Sequence, residues 1–198
     1  MPSKAEQSEA TRAALVGAAE ELFAERGFAE TATEAVVKTA GVTRGALYHH
    51  FTDKTDLFRA VYERLEQRMI DQVEEAVAGL TDPIEVLHRG TDAFLDACME
   101  PAVQRIVLLE GPTVLGWETW RQIDMAYGLG MVTAVLEVAM QTGAIRDAPV
   151  EALAHIHLGG LNEGAMLMAS APDPDAARQR TGEALKVVTD GLAHPSRR

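Results

Sequence analysis

A chain of 198 residues, 47% apolar and 24% charged, has room for one domain or two small ones and enough apolar mass for a buried core, which excludes a disordered or collagen-like protein. Its 18 Lys and Arg against 30 Asp and Glu give a formal net charge of −12, so it has no general attraction for polyanions. The single Cys98 excludes an internal disulfide and a cysteine-built zinc site, as in a reducing cytoplasm. The opening MPSKAEQSEATR lacks the apolar run of a secretory signal, and stretches such as Leu129 to Leu136 fall far short of the ~20 residues of a membrane span.

Gly, Pro and capping residues divide the chain into about nine helical segments, and no convincing strand is found, so an all-α fold is expected. In the first segment, about Glu6 to Arg26, Leu15, Ala18, Ala19, Leu22 and Phe23 share one helical face, and Gly27 is a left-handed stop. Thr31 with Glu34 has capping-box spacing and Thr33 is an equally good cap, which starts a short second helix near residues 32 to 34. Thr43 caps a third helix, Arg44 to His50, and Asp53 a long fourth one that ends at Gly79.

Ile84, Leu87, Thr91, Phe94, Leu95 and Cys98 line the fifth helix, closed by Pro101, and a sixth runs from about Ala102 to Glu110 before a Gly111 to Gly116 loop. The seventh carries two apolar stripes, which predicts a centrally buried helix. An eighth helix follows Pro149 and reaches Ser170; the ninth puts Ala177, Thr181, Ala184, Leu185, Val188 and Leu192 on one face, and the tail His194 to Arg198 is expected to fray.

Thr33 to His50 reads as short helix, glycine turn, short helix, the spacing of a helix-turn-helix, with Leu22, Phe23, Phe28, Val36, Val37, Val42, Leu47 and Phe51 available as core. Residues 35 to 52 contain no acid and keep Lys38, Arg44, two histidines and Tyr48, so this stretch of an acidic chain can face phosphates. The first 60 residues carry seven Lys and Arg against nine acids, the rest eleven against twenty-one, so repulsion from DNA is concentrated outside the head.

The run from Ala40 to Phe51, AGVTRGALYHHF, followed by Lys54 and Leu57, resembles the DNA-binding segment of the TetR (tetracycline-repressor) family of transcriptional regulators, over about residues 8 to 60. The resemblance implies a three-helix DNA-binding head, residues 1–56, and a helical ligand-binding and dimerisation domain, residues 57–198. It implies that Thr43, Arg44 and Gly45 enter the major groove, with Arg44 bonding guanine O6 and N7 and Ala46 touching a thymine methyl. Thr33, Tyr48, His50 and Lys54 are implied as phosphate contacts, and His49 as a further member of this surface. The sequence departs from the family pattern at Ala32 and Glu34, so no base contact is assigned to the second helix. From the helix-turn-helix pattern alone, a second reading of Arg44 and Lys54 is as solvated charges and of Tyr48 as packing.

The implied ligand cavity lies among the fourth to eighth helices. Its candidate residues are Phe94, Trp120, Tyr127, Met131 and Met166, with His155, Asn162 and Glu163 as polar groups that orient a small, largely apolar effector with room for a cationic or hydrogen-bonding group. The resemblance also implies dimerisation through the last two helices, which makes Leu153, Ile156, Gly160 and Gly164 on the opposite face of the eighth helix, with Leu185, Val188 and Leu192 of the ninth, the candidate homodimer surface; the two faces are interchangeable on sequence alone.

Catalytic signatures are absent, the histidine pairs lack metal-ligand spacing, and no cofactor is expected. The expected protein is a cytoplasmic regulator that binds double-stranded operator DNA and a small-molecule effector as a homodimer. A helical binding or enzymatic protein with an incidental helix-turn-helix is the alternative.

Overall fold

The computed structural model describes residues 3–193, and the tail expected to fray lies outside them. Among the described residues the secondary structure is helical: α1 (Lys4–Arg26), α2 (Thr33–Thr39), α3 (Arg44–His50), α4 (Lys54–Val77), α5 (Pro83–Ala97), α6, α7 (Trp117–Gln141), α8 (Val150–Ala169) and α9 (Pro174–Leu192). In α6, π-helical turns over Val103–Glu110 run into an α-helical turn at Gly111–Val114, so the segment expected as a loop after Glu110 begins helically. The chain divides into two compact units: one comprises the residues up to Leu65 and Pro101–Trp120, the other Glu66–Glu100 and the residues from Arg121 onward.

In the first unit, a Ser3 and Glu6 capping box opens α1, which buries the face expected of it, with Val16 added. Phe23, Val36, Leu47, Leu57, Phe58, Val61 and Tyr62 are fully buried around that face, each large side chain contributing ~1.5–3 kcal/mol by leaving water. The rings of Phe23, Phe28 and Phe58 meet pairwise at 5.3–5.8 Å. Gly27 ends α1 at φ +84°, and Thr31, rather than capping α2, is buried and donates its hydroxyl to the carbonyls of Leu22 and Gly27. Ala32 occupies the α2 cap with no side-chain bond.

α6 completes this unit. Arg105 Nη1 donates to the carbonyls of Ala24 (3.0 Å) and Glu25 (2.7 Å), satisfying the carboxyl end of α1, and Glu110 Oε2 accepts from the Phe28 amide at 2.8 Å. Gly111 is needed for close approach: a Cβ there would lie 2.8 Å from the Tyr62 ring.

In the second unit, α9 packs against α5 and α8. Arg178 forks onto Asp92 and Asp96 of α5, and Lys186 reaches Asp92 at 2.8 Å. Leu87, Leu136, Ala139, Ile145 and Ala154 form a buried cluster joined by Leu153 and Leu192.

The central burial expected for α7 is not observed. Leu136 and Ala139 are buried, but Val138 is 45% exposed, and Gly128, Met131, Val132 and Val135 line a cavity within the unit. By length and composition α7 could also cross a bilayer, the one described helix that could. Length and composition decide little for a helix that carries Arg121 and Asp124 as an ion pair and turns side chains into a cavity of its own unit.

Candidate nucleic-acid interface and ligand cavity

The helix-turn-helix is built by local chemistry. Gly41 adopts φ +67°, a left-handed conformation that glycine enters without strain, and the Val42 amide returns to the Val37 carbonyl at 3.0 Å. The Thr43 hydroxyl then accepts from the Ala46 amide at 3.2 Å, fixing the first turn of α3. Leu47 is fully buried and anchors α3, which leaves Thr43, Arg44, Gly45, Tyr48 and His49 exposed on its other side, with Ala46, His50 and Thr33 half-buried.

Arg44 Nη1 sits 3.2 Å from Glu34 Oε1, with both side chains about two-thirds exposed, and its guanidinium lies 5.6 Å from the Tyr48 ring centroid. An exposed pair of this kind is worth ~0–1 kcal/mol, so Arg44 can exchange Glu34 for the paired acceptors of a guanine at little cost. Glu34, to which no base contact was assigned, is the residue that pairs with Arg44 here.

Lys54 is placed differently from its expected role on phosphate. Its ammonium donates to the carbonyls of Phe28 (2.8 Å) and Thr31 (3.1 Å), lies 3.5 Å from that of Ala29, and stands 4.2 Å from the centre of the Phe28 ring. Its protons are committed to the loop between α1 and α2, so its geometry is that of a strut within the head.

The second unit contains a partly open cavity of about 90 Å³. α4 contributes Glu66, Met69 and Val73, α5 Thr91 and Phe94, α7 Asp124 and Met131, and α8 His157 and Leu161. The wall is mostly apolar, with four polar groups on it. Asp124 accepts from Asn162 Nδ2 at 2.8 and 2.9 Å and from Arg121 at 2.7 Å; burial nevertheless raises its carboxyl above the usual range. His157 is 8% exposed, and burial lowers its imidazole below the ordinary value, so it is the neutral form that faces the cavity at pH 7. Thr91 is 3% exposed, and its hydroxyl has no hydrogen-bond partner. Close by, burial and the Glu66 charge push the Cys98 thiol far up, so it is held protonated and inert.

Of the ligand candidates named from sequence, Phe94 and Met131 line this cavity, and Asn162 stands behind Asp124 as its donor. Trp120 belongs to the first unit, where it is buried and its ring lies 4.9 Å from that of Trp117. Tyr127, His155 and Met166 are half-buried and border no cavity described above, while Glu163 lines a groove on the outer side of α8 and α9. Sequence reasoning passed over Glu66, Thr91, Asp124 and His157. The signal available was a lone polar residue within an apolar stripe: Thr91 between Leu87 and Phe94, Asp124 between Trp120 and Tyr127.

The dimer candidates divide as well. Gly164 is buried inside the protomer, where a Cβ would lie 2.7 Å from Thr181 Cγ2, and Leu153 and Leu192 pack on the Leu87 cluster. Gly160 and Leu185 line the groove between α8 and α9 and Val188 its edge. Ile156 (70% exposed), Leu167, Val187 and Val188 are apolar side chains left in solvent.

An all-α chain with an N-terminal helix-turn-helix, an exposed recognition helix and a cavity in a second helical unit has the make-up of a DNA-binding regulator. The comparisons agree. Residues 15–61 match the bacterial regulatory proteins of the tetR family, and residues 84–192 match the tetracyclin repressor-like C-terminal domain. The crystal structure of a TetR-family transcriptional regulator from Pectobacterium atrosepticum is 31% identical, superposes with a TM-score of 0.87, and is covered over 100% of its length by 99% of this chain. The transposon Tn10 TetC protein of Escherichia coli is 28% identical over 141 residues, 71% of each chain. The transcriptional repressor BepR of Brucella suis is 36% identical over 107 residues, 53% of this chain and half of BepR. The chain belongs to the TetR family of transcriptional regulators.

Proposed function

We propose that the protein is a homodimeric repressor that leaves its operator when a small, largely apolar effector fills the cavity of the second unit. Residues 1–56 are the DNA-binding head and residues 57–198 the ligand-binding and dimerisation domain. In the head, Thr43, Arg44 and Gly45 approach base edges, Ala46 meets a thymine methyl, and Tyr48, His49, His50 and Thr33 lie along phosphates. Lys54 supports this surface from within. The observation that carries the reading is the partly open cavity with buried polar groups on its wall, in a chain whose helix-turn-helix stretch has no acid between residues 35 and 52.

The dimer surface is the outer side of α8 and α9, where Ile156, Leu167 and Val188 would leave water on association. Two recognition helices related by a two-fold axis then fit major grooves about one turn, ~34 Å, apart or somewhat more, which calls for a roughly palindromic operator. α4 is the covalent route for the signal, since Leu57 and Phe58 belong to the first unit and Met69 and Val73 to the second. A 10²-fold loss of operator affinity requires ~2.7 kcal/mol of tighter effector binding to the DNA-incompetent state, and the operator must weaken effector binding by the same factor. The place of action is the cytoplasm.

A gel shift with the DNA flanking its own reading frame tests the proposal. Retention of that DNA in preference to random duplex, lost on adding effector, is the expected result; equal retention of both DNAs would refute specific regulation.

A further inference from the structure

The two acids on the cavity wall are already engaged. Asp124 and Glu66 border it, each 7% exposed; Asp124 is held by Arg121 and Asn162, and Glu66 by another group of the protein. Neither is a spare counter-charge for a cation, and among the described residues no Lys or Arg lines the cavity to receive an anion. What the wall leaves unanswered is uncharged. Thr91 is 3% exposed and its buried hydroxyl has no hydrogen-bond partner, which costs free energy until a ligand supplies one. The His157 imidazole borders the same cavity in its neutral form, which carries one N–H donor and one acceptor nitrogen.

We propose that this cavity takes an uncharged alcohol, a hydroxyl on a single ring or a short alkyl chain, with the hydroxyl directed to Thr91 and His157 and the body against Met69, Phe94 and Met131. A hydroxyl both donates and accepts, so it completes Thr91 whichever way the Thr91 proton points, and it meets either nitrogen of a neutral imidazole. An ether or ketone oxygen, which only accepts, meets half of that requirement. An ammonium would leave water for a wall whose acids are taken, and a carboxylate for one with two acids and no cation, so neither recovers its cost of desolvation. The lining is otherwise apolar, which suits a hydrocarbon body. Size sets the upper limit: a closed dry cavity of ~150 Å³ holds benzene, so about 90 Å³ with an opening limits the body to a short chain or to one ring lying partly in the mouth.

This inference rests on the reading of the cavity as the effector site, and its test keeps the two apart. Benzyl alcohol, benzylamine and benzoate share one ring and differ in charge at pH 7, while toluene has the ring without the polar group; each is titrated calorimetrically into the full chain without DNA. Benzyl alcohol should bind tighter than either ion by about tenfold or more. Thr91→Val, close in shape, should weaken benzyl alcohol by about fivefold or more and leave toluene within about twofold, a difference that a merely structural change would not produce. The charge order is read on the unaltered protein and so does not depend on the folding of the variant. Either ion binding as tightly as the alcohol, parallel changes for alcohol and toluene in the folded variant, or no binding of the alcohol overturns the proposal. Operator release is then read separately: an alcohol that binds with the expected selectivity and leaves the DNA complex intact upholds this inference and refutes the repressor mechanism above.

Discussion

Replacing Lys54 by Met keeps the aliphatic stem and removes the ammonium from the carbonyls of Phe28 and Thr31 and from the Phe28 ring. Buried charge-assisted hydrogen bonds are worth ~1.5–3 kcal/mol each, but these carbonyls are only partly buried and water can replace the donor, so ~1 kcal/mol each is the proper scale. The ring contact adds ~0.5–1 kcal/mol. The first unit should therefore lose about 2–3 kcal/mol, a fall of roughly 1–2 M in its urea midpoint for an ordinary denaturant slope. Both tryptophans, Trp117 and Trp120, lie in that unit, so intrinsic fluorescence reads its unfolding directly. The salt dependence of DNA binding should keep its slope, because no phosphate contact is removed. An unchanged midpoint with a slope shallower by ~1 would refute the reasoning and return Lys54 to the DNA surface.

Arg44→Ala should cost ~1–3 kcal/mol on the operator and far less on random DNA, measured by competition gel shift; equal losses on both would remove it from base readout. Val188→Asp should convert the proposed dimer to monomer in sedimentation velocity, with helicity retained, because it puts a charge at an exposed apolar position of the proposed dimer surface. His157 has a folded pKa below the 6.5 of the free side chain, so the unfolded chain binds the extra proton first. Its contribution to stability is therefore complete above pH 6.5 and lost as the pH falls through the lower folded value, and His157→Gln should flatten that part of the stability profile. Cys98 should resist maleimide in the native protein and react only on unfolding; rapid native labelling would contradict its burial.

The fold was legible where it rests on local chemistry. Gly27, Thr43 and Gly79 act within one or two turns of themselves, and the helix limits they imply are close to those observed. The site was legible only in part, because a helical stripe says which residues lie together and not what they face. His155 and His157 differ by about 200° around α8, and sequence periodicity gives no means of deciding which of them points at empty space. Thr91 fits the apolar stripe of α5 by position, so its hydroxyl passed unnoticed until its lack of a partner was visible. Lys54 shows the same limit from another side. Its position at the start of α4 suits a phosphate, while the carbonyls that claim it are 23 to 26 residues away in sequence.

The first compact unit is assembled from two separate stretches of the gene product, and this restricts how such a protein can be recombined. A hybrid joined shortly after residue 65 would carry a foreign segment in place of Pro101–Trp120, and with it would go the guanidinium that closes α1 and the carboxylate that receives the Phe28 amide. The transplanted piece would keep every residue of its recognition helix and still lose its footing. A viable exchange of operator preference between relatives must move residues 101–120 together with the amino-terminal stretch, or else alter α3 alone and leave the rest of the unit in its original setting.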